Sequence, residues 1–200
     1  MGIAVREATT ADAPAMAQVF VDTFRTAHRG QMPDWLLETR TYEESERGWL
    51  RTLTRLAAET DPQERVVVAV DESGQMVGVA MGGPPGPWDQ DRPARDERPT
   101  GEVYLLYVDS DHQHRGAGRQ LVGEVARFLR ERGRSRLLIG VLAAIESARR
   151  FYEALGGRLL GHWVFEDEGV GLDEVVYAWS DSSQLLPKQQ TASQAPPLNE

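Results

Sequence analysis

The sequence predicts an α/β (α+β) domain, a mixed central sheet of about seven strands with helices on both faces. Three observations predict it. Strand-like and helix-like hydrophobic periods alternate in the order β-α-α-β-β-β-α-β-α-β-β. Two nearly continuous apolar runs, "EVYLLYVD" and "RLLIGVL", have the character of strands covered on both faces. The turn-rich "DESGQ" joins "RVVVAV" to "MVGVAMG" as an antiparallel hairpin.

Residues 3–8, "IAVREA", alternate and read as a short strand. Thr10 is the expected N-cap of a helix carrying Met16, Val19, Phe20 and Phe24 at helical spacing. After "HRGQMPDWLL", a loop with one helical turn, Thr41 and Glu44 form a capping-box pattern ahead of Trp49, Leu50, Leu53 and Leu56. Residues 65–82 are the hairpin. Residues 83–100 hold Pro84, Pro85, Pro87, Pro93 and Pro99 among many charges, which opposes regular structure and suggests a lid or pocket wall. "EVYLLYVD" follows as the central strand. From Gly116 onward Leu121, Val122, Val125, Phe128 and Leu129 recur at helical spacing, giving a helix of about four turns with Gly133 as its C-cap. "RLLIGVL" is another buried strand, "ESARRFYEAL" a short helix closed by Gly156 and Gly157, and "RLLGHWVFE" with "DEVVYAW" a closing strand pair. Apolar periodicity then stops. One domain is expected over residues 1–180, followed by a disordered Ser-, Gln- and Pro-rich tail over 181–200.

Composition removes several classes of function. Cysteine is absent, which rules out disulfides, thiolate zinc sites and a cysteine nucleophile, and fits a reducing compartment. With no leader-like start and no long apolar segment, the expectation is a cytoplasmic protein without a membrane partner. A formal net charge of −9 opposes general nucleic-acid binding, which needs clustered Lys and Arg facing phosphates. His28, His112, His114 and His162 show no metal-ligand spacing, so no metal is expected and these rings are read as surface or loop groups.

The chemistry concentrates in "DHQHRGAGRQL", residues 111–121, which joins the central strand to an amphipathic helix. A helix N-terminus presents unpaired N–H groups and a partial positive charge, and it holds a phosphate where the backbone can come close. Gly116 and Gly118 permit that approach. On spacing alone, the same turn reads first as a flexible strand-to-helix connector. The P-loop pattern is missing, and Gln113 stands where the dinucleotide fingerprint requires its first glycine.

Gln113-x-x-Gly116-x-Gly118 after "VYLLYVD", together with "SARRFYEALGG" downstream, resembles the acyl-CoA signature and tyrosine helix of the GCN5-related N-acetyltransferase (GNAT) family, over about residues 3–179. The resemblance implies the GNAT fold and an acetyl-CoA-dependent N-acetyltransferase. The donor would be acetyl-CoA as co-substrate, with no metal. The acceptor would be a primary amine of a small molecule or peptide, attacking directly in a ternary complex. It implies that backbone amides of His114, Arg115, Gly116, Ala117, Gly118 and Arg119, behind Gln113, hold the pyrophosphate. The edge at Leu106, Tyr107 and Val108 would pair with the pantetheine arm, admitted where the central strand splays from "RLLIGVL".

Tyr152 falls at the position of the family's proton donor to the thiolate, and Glu102, fourteen residues before Gly116, at that of a proton acceptor. From the residues alone, Tyr152 reads first as a core tyrosine with a satisfied hydroxyl, and Glu102 equally as a solvated strand-end carboxylate. Where relatives carry an asparagine that bonds the pantetheine arm, this chain has Ile145, and Gly140 occupies the place of another branch's glutamate. Arg149 and Arg150 are candidates for the cofactor's phosphates or for a solvated helix face. Trp35, Trp88, Asp89 and Asp91 are candidates for an acceptor pocket or for packing and solubility. Family habit implies a homodimer through the C-terminal strands. The alternative is a non-catalytic acyl-CoA-binding or sensor module of the same fold. A nucleotide-binding module is disfavoured by the failed fingerprints.

Overall fold

A computed structural model describes residues 2–86 and 100–186. Seven strands, β1 (Ala4–Glu7), β2 (Arg65–Val70), β3 (Met76–Gly83), β4 (Thr100–Val108), β5 (Arg136–Leu142), β6 (Arg158–Asp167) and β7 (Val170–Trp179), build one sheet in the order β1-β2-β3-β4-β5-β7-β6. Only β4 and β5 run parallel among these neighbours; every other pair is antiparallel. The helices are α1 (Ala13–His28), α2 (Asp34–Glu38), α3 (Tyr42–Ala58), α4 (Ala117–Glu131) and α5 (Glu146–Ala154).

The period of two along the strands sorts residues to the two faces. Val67, Ala69, Val77, Ala80 and Val103 pack with the apolar stripe of α4, whose Leu121, Val122, Val125, Phe128 and Leu129 are all buried. Val66, Val68 and Val79 point the other way, against Met16 and Val19 of α1 and Trp49 and Leu53 of α3. The α/β sheet with helices on both faces is therefore as expected.

Local details depart from the expectation in four places. The first helix begins at Ala13; a 3-10 turn, Thr10–Asp12, precedes it, and the cap is Thr9, whose N–H donates to the Asp12 carboxylate at 2.7 Å. Arg6 also binds that carboxylate at 2.7 and 2.8 Å, so one acidic side chain fixes the strand exit and the helix entry together. Thr41, in contrast, does cap α3, accepting from the Glu44 N–H at 3.2 Å. The closing hairpin is longer than its apolar runs: Glu168 (φ 50°) and Gly169 (φ 79°) form a two-residue turn with both φ positive, which matches the strand twist and extends pairing to Asp167↔Val170.

The third departure is the start of the tail. Residues 181–186 are packed: a 3-10 turn, Ser182–Leu185, buries Leu185 in the core beside α4, and Ser182 N–H donates to Ser135 O at 2.8 Å. Residues 187–200 lie outside the described residues. So do 87–99 of the Pro-rich stretch, whose first residue, Gly83, still belongs to β3. Among the described residues no helix is long and apolar enough to cross a membrane.

The fourth departure positions the site. β4 is fully buried only over Thr100–Val103, and Tyr104–Val108 are half-exposed, although the apolar run is continuous.

Candidate active site

The exposure of β4 follows from its pairing. β4 and β5 are bonded over Thr100–Val103 against Arg136–Ile139, and no pairing between them continues past Val103 among the described residues. β4 runs on to Val108 held by β3, while β5 runs on to Leu142 held by β7. A register shift at Met81/Gly82 leaves Tyr104 as an extra residue on β4, and such a bulge bends its strand. The two strands thus diverge into a wedge with one free backbone edge on each side. A cleft of about 560 Å³ opens there, and Leu106, Tyr107 and Val108 line it, as do Gly140 and Ile145.

The glycine turn closes one end of the wedge. Gln113 turns its amide back to donate to Val108 O at 3.1 Å, which ties the turn to the end of β4. His114 (φ 59°) and Gly116 (φ 89°) are both left-handed, and Gly116 is the N-cap of α4 with no side chain capping it. Left-handed residues alternating with others turn successive amides inward, and the uncapped helix start adds the positive end of its dipole. The charge asymmetry thus favours an anion here even in an acidic protein. Gln113, His114, Gly116, Gly118 and Arg119 line the cleft, whereas the Ala117 side chain is buried under α4 and Arg115 is not on the lining. A Cβ on Gly118 would sit 3.2 Å from the Phe151 ring, so the turn and α5 are packed as one wall.

Tyr152 lies on that wall. Its ring is fixed edge-on by Phe151 (5.3 Å between centroids) and Trp179 (6.3 Å), and it faces Tyr177 at 6.0 Å. Its hydroxyl has no hydrogen-bond partner among the described residues, and burial pushes the phenol's pKa well above its ordinary value. It therefore holds its proton at neutral pH. Tyr107 is raised by the same cause.

Glu102 is elsewhere. It sits in the paired half of β4, opposite Gly83 and Leu138, is buried, accepts from Gly86 N–H at 3.4 Å, and is not part of the cleft lining. The structure does not bring it together with Tyr152. Arg149 donates to Ala143 O at 3.1 Å and to the Tyr177 hydroxyl at 3.4 Å, and Arg150 pairs with Glu146 at 2.8 Å; neither lines the cleft. Trp35 is exposed and off the lining, and Trp88, Asp89 and Asp91 lie outside the described residues.

The other end of the cleft is reached by "AHRGQMPDWLL", residues 27–37, whose resemblance to the family's acceptor-side loop implied a pocket there, through Ala27, His28 and Met32 and not through Trp35. Its wall is Phe20, Thr23, Phe24, Ala27 and His28 on α1, then Met32, Arg40, Asp167 and Glu174. Phe20 meets Tyr107 edge-on at 5.0 Å, and Arg40 pairs with Asp167 at 2.8 Å. The helical spacing of Phe20 and Phe24 was visible, but periodicity marks an inward face without distinguishing core from cavity. His28 corrects the surface reading: it is 8 % exposed, stacks on Phe24 at 4.4 Å, and places Nδ1 2.8 Å from Phe24 O. Burial lowers its pKa. His112 does lie among loop groups, 3.8 Å from Asp71 and 3.7 Å from Asp109. Among the described residues no cluster of three or more His, Cys, Asp or Glu side chains is arranged to hold a metal.

Comparison with known proteins points the same way. Residues 24–157 match the family model described as the acetyltransferase (GNAT) family. An uncharacterized N-acetyltransferase of Bacillus subtilis (strain 168), YuaI, is 32 % identical over 183 residues, covering 92 % of this chain and 96 % of that protein. The crystal structure of a ribosomal-protein-alanine N-acetyltransferase from Brucella melitensis is similar with a TM-score of 0.63 at 26 % identity, covering 88 % of this chain and 98 % of that one. A PaiA N-acetyltransferase from Thermoplasma acidophilum, crystallised with coenzyme A, shares the fold with a TM-score of 0.65 at 15 % identity over the same shares of each chain.

Proposed function

The chain belongs to the acetyltransferase (GNAT) family and is an N-acetyltransferase; from that premise we propose that it transfers an acetyl group from acetyl-CoA to a primary amine of a small molecule or peptide, directly, within the cleft between β4 and β5. The observation that carries this reading is the wedge itself. An amide-containing arm needs a free strand edge, a diphosphate needs main-chain donors at an unblocked helix start, and the cleft joins both to a buried phenol.

In this reading the pyrophosphate rests on the amides of the 114–119 turn and the pantetheine arm lies along Leu106–Val108. The amine lone pair forms the new C–N bond at the thioester carbon. As the C–S bond breaks, sulfur takes its electron pair and then the proton of the Tyr152 hydroxyl, so free CoA thiol leaves. Tyr152 suits the role because a phenol keeps its proton at neutral pH and can give it up as the C–S bond breaks, although burial makes it a weaker acid than an exposed tyrosine. Proton acceptance by Glu102 requires a water relay from the cleft to the paired half of β4. Direct transfer is consistent with the absence of cysteine. A reducing, cytoplasmic setting belongs to the same proposal.

Thiol release tests it. With acetyl-CoA and a panel of amines, free CoA should appear at a rate that depends on the amine. Thermal stabilisation by acetyl-CoA without thiol release from any amine would mean binding without transfer.

A further inference from the structure

His28 is a titratable side chain that the transfer scheme leaves unused although the fold buries it in the cleft wall. It is the last residue of α1, and its Nδ1 lies 2.8 Å from Phe24 O, one helical turn back. A carbonyl oxygen only accepts, so Nδ1 must carry the hydrogen. Nε2 of the neutral ring is then a lone-pair acceptor, and it has no partner among the described residues. The stack on Phe24, 29° between planes, holds the ring against turning, so this acceptor has a fixed direction. Around it the wall is apolar: Phe20, Phe24, Met32, Leu142 and Ile145 contribute to one cluster at this end of the cleft. The charged and titratable groups on the same lining are Arg40 and Asp167, which neutralise one another, Glu174 on β7, Tyr104 and Tyr107 on β4, His114 and Arg119 at the glycine turn, and Tyr152 on α5.

We propose that His28 is an acceptor-recognition residue: its Nε2 accepts a hydrogen bond from the N–H of the incoming amine, selecting amines carried on an apolar body. The assignment rests on reading the cleft as an acetyl-transfer site. A buried acceptor left unpaired by the wrong molecule carries a desolvation cost, which is how one such atom discriminates. Protonation would turn Nε2 into a donor and repel an ammonium group. Because burial depresses the ring's pKa, recognition persists below the ordinary histidine range and fails only as pH falls further.

Phenethylamine, an amine on an apolar ring, is a suitable probe of the full chain. In the nitrogen NMR spectrum of the imidazoles, His28 should be the Nδ1–H tautomer, and phenethylamine should shift its Nε2 resonance. His28→Phe keeps the stack and removes the acceptor. It should raise the phenethylamine KM about tenfold or more at neutral pH and leave the acetyl-CoA KM unchanged, with a fall in Tm of a few degrees at most for the lost Nδ1–H bond to Phe24 O. His28→Gln, which returns an acceptor near the Nε2 position, should recover most of the loss. An Nε2–H tautomer, an Nε2 resonance indifferent to phenethylamine, or an unchanged amine KM in His28→Phe each overturns the assignment. If wild-type protein releases no thiol with any amine, the transfer reading falls, and the Nε2 response still decides the role of His28.

Discussion

Replacing Gly116 separates the two physical demands on the glycine turn. Its φ of 89° costs an L-residue roughly 1–2 kcal/mol. The space around it is open, since a Cβ there would meet only Gln120 Nε2, at 3.8 Å. Gly116→Ala should therefore lose that strain energy and nothing more, a fall in Tm of about 2–8 °C. Gly116→Glu carries the same strain, but its carboxylate beside the uncapped α4 terminus returns up to about 1 kcal/mol. It should melt no lower than the alanine variant. Binding orders them the other way. A carboxylate about 5 Å from a phosphate, at an effective dielectric constant near 20, is repelled by roughly 3 kcal/mol per pair of charges. The CoA Kd should thus rise about 100- to 1000-fold in Gly116→Glu and under about tenfold in Gly116→Ala. The gap should narrow in high salt. Calorimetric titration with CoA and thermal melting of both variants measure all four quantities. Equal CoA affinity in Gly116→Glu and wild type would refute the placement of the diphosphate.

Other expectations follow from single side chains. Tyr152→Phe removes a hydroxyl that has no partner among the described residues, so Tm should hold or rise while kcat falls roughly 10²- to 10⁴-fold with acetyl-CoA binding intact. Stopped-flow or steady-state thiol release checks it, and an unchanged kcat removes Tyr152 from the chemistry. Glu102→Gln tests the relay: if Glu102 accepts the amine proton through water, kcat should drop at least about tenfold, whereas a merely structural carboxylate would lower Tm and leave kcat alone. Asp12 is held down to about 2 by hydrogen bonds from Arg6 against a smaller desolvation effect. Its contribution is complete above the ordinary carboxylate pKa of about 4 and disappears as pH falls toward 2. Asp12→Asn should cost about 1 kcal/mol at neutral pH, given the half-exposed Arg6, and the difference from wild type should vanish across that acid window in denaturant titrations.

Much of this fold is written locally. The runs "RVVVAV", "MVGVAMG" and "RLLIGVL" are strands because their apolar β-formers have nowhere to go but a covered sheet, and the stripe from Leu121 to Leu129 fits one helical face. The turn at Gly116 was legible for a similar reason, since Gly116 holds a φ that other residues resist and Gly118 leaves no room for a side chain against Phe151. What escaped depends on partners distant in sequence. The splay at Val103 arises from β4 following β3 while β5 follows β7, and nothing within "EVYLLYVD" encodes it. Glu168 adopts a positive φ under the demand of the hairpin, against its own preference. Leu185 packs out of a polar tail into the core cluster beside α4, a contact with partners distant in sequence. His28 reads as a surface or loop group because nothing in the local sequence shows that the end of α1 is covered, and Glu102 reads as a strand-end carboxylate although pairing on both sides carries it inward.

Amide NMR of the full chain during titration with CoA tests the central claim most directly. Saturable shifts should be largest at the amides of 114–119 and 106–108, with little change along Arg65–Val70 on the far side of the sheet. Saturable shifts centred outside the wedge between β4 and β5 would contradict the account.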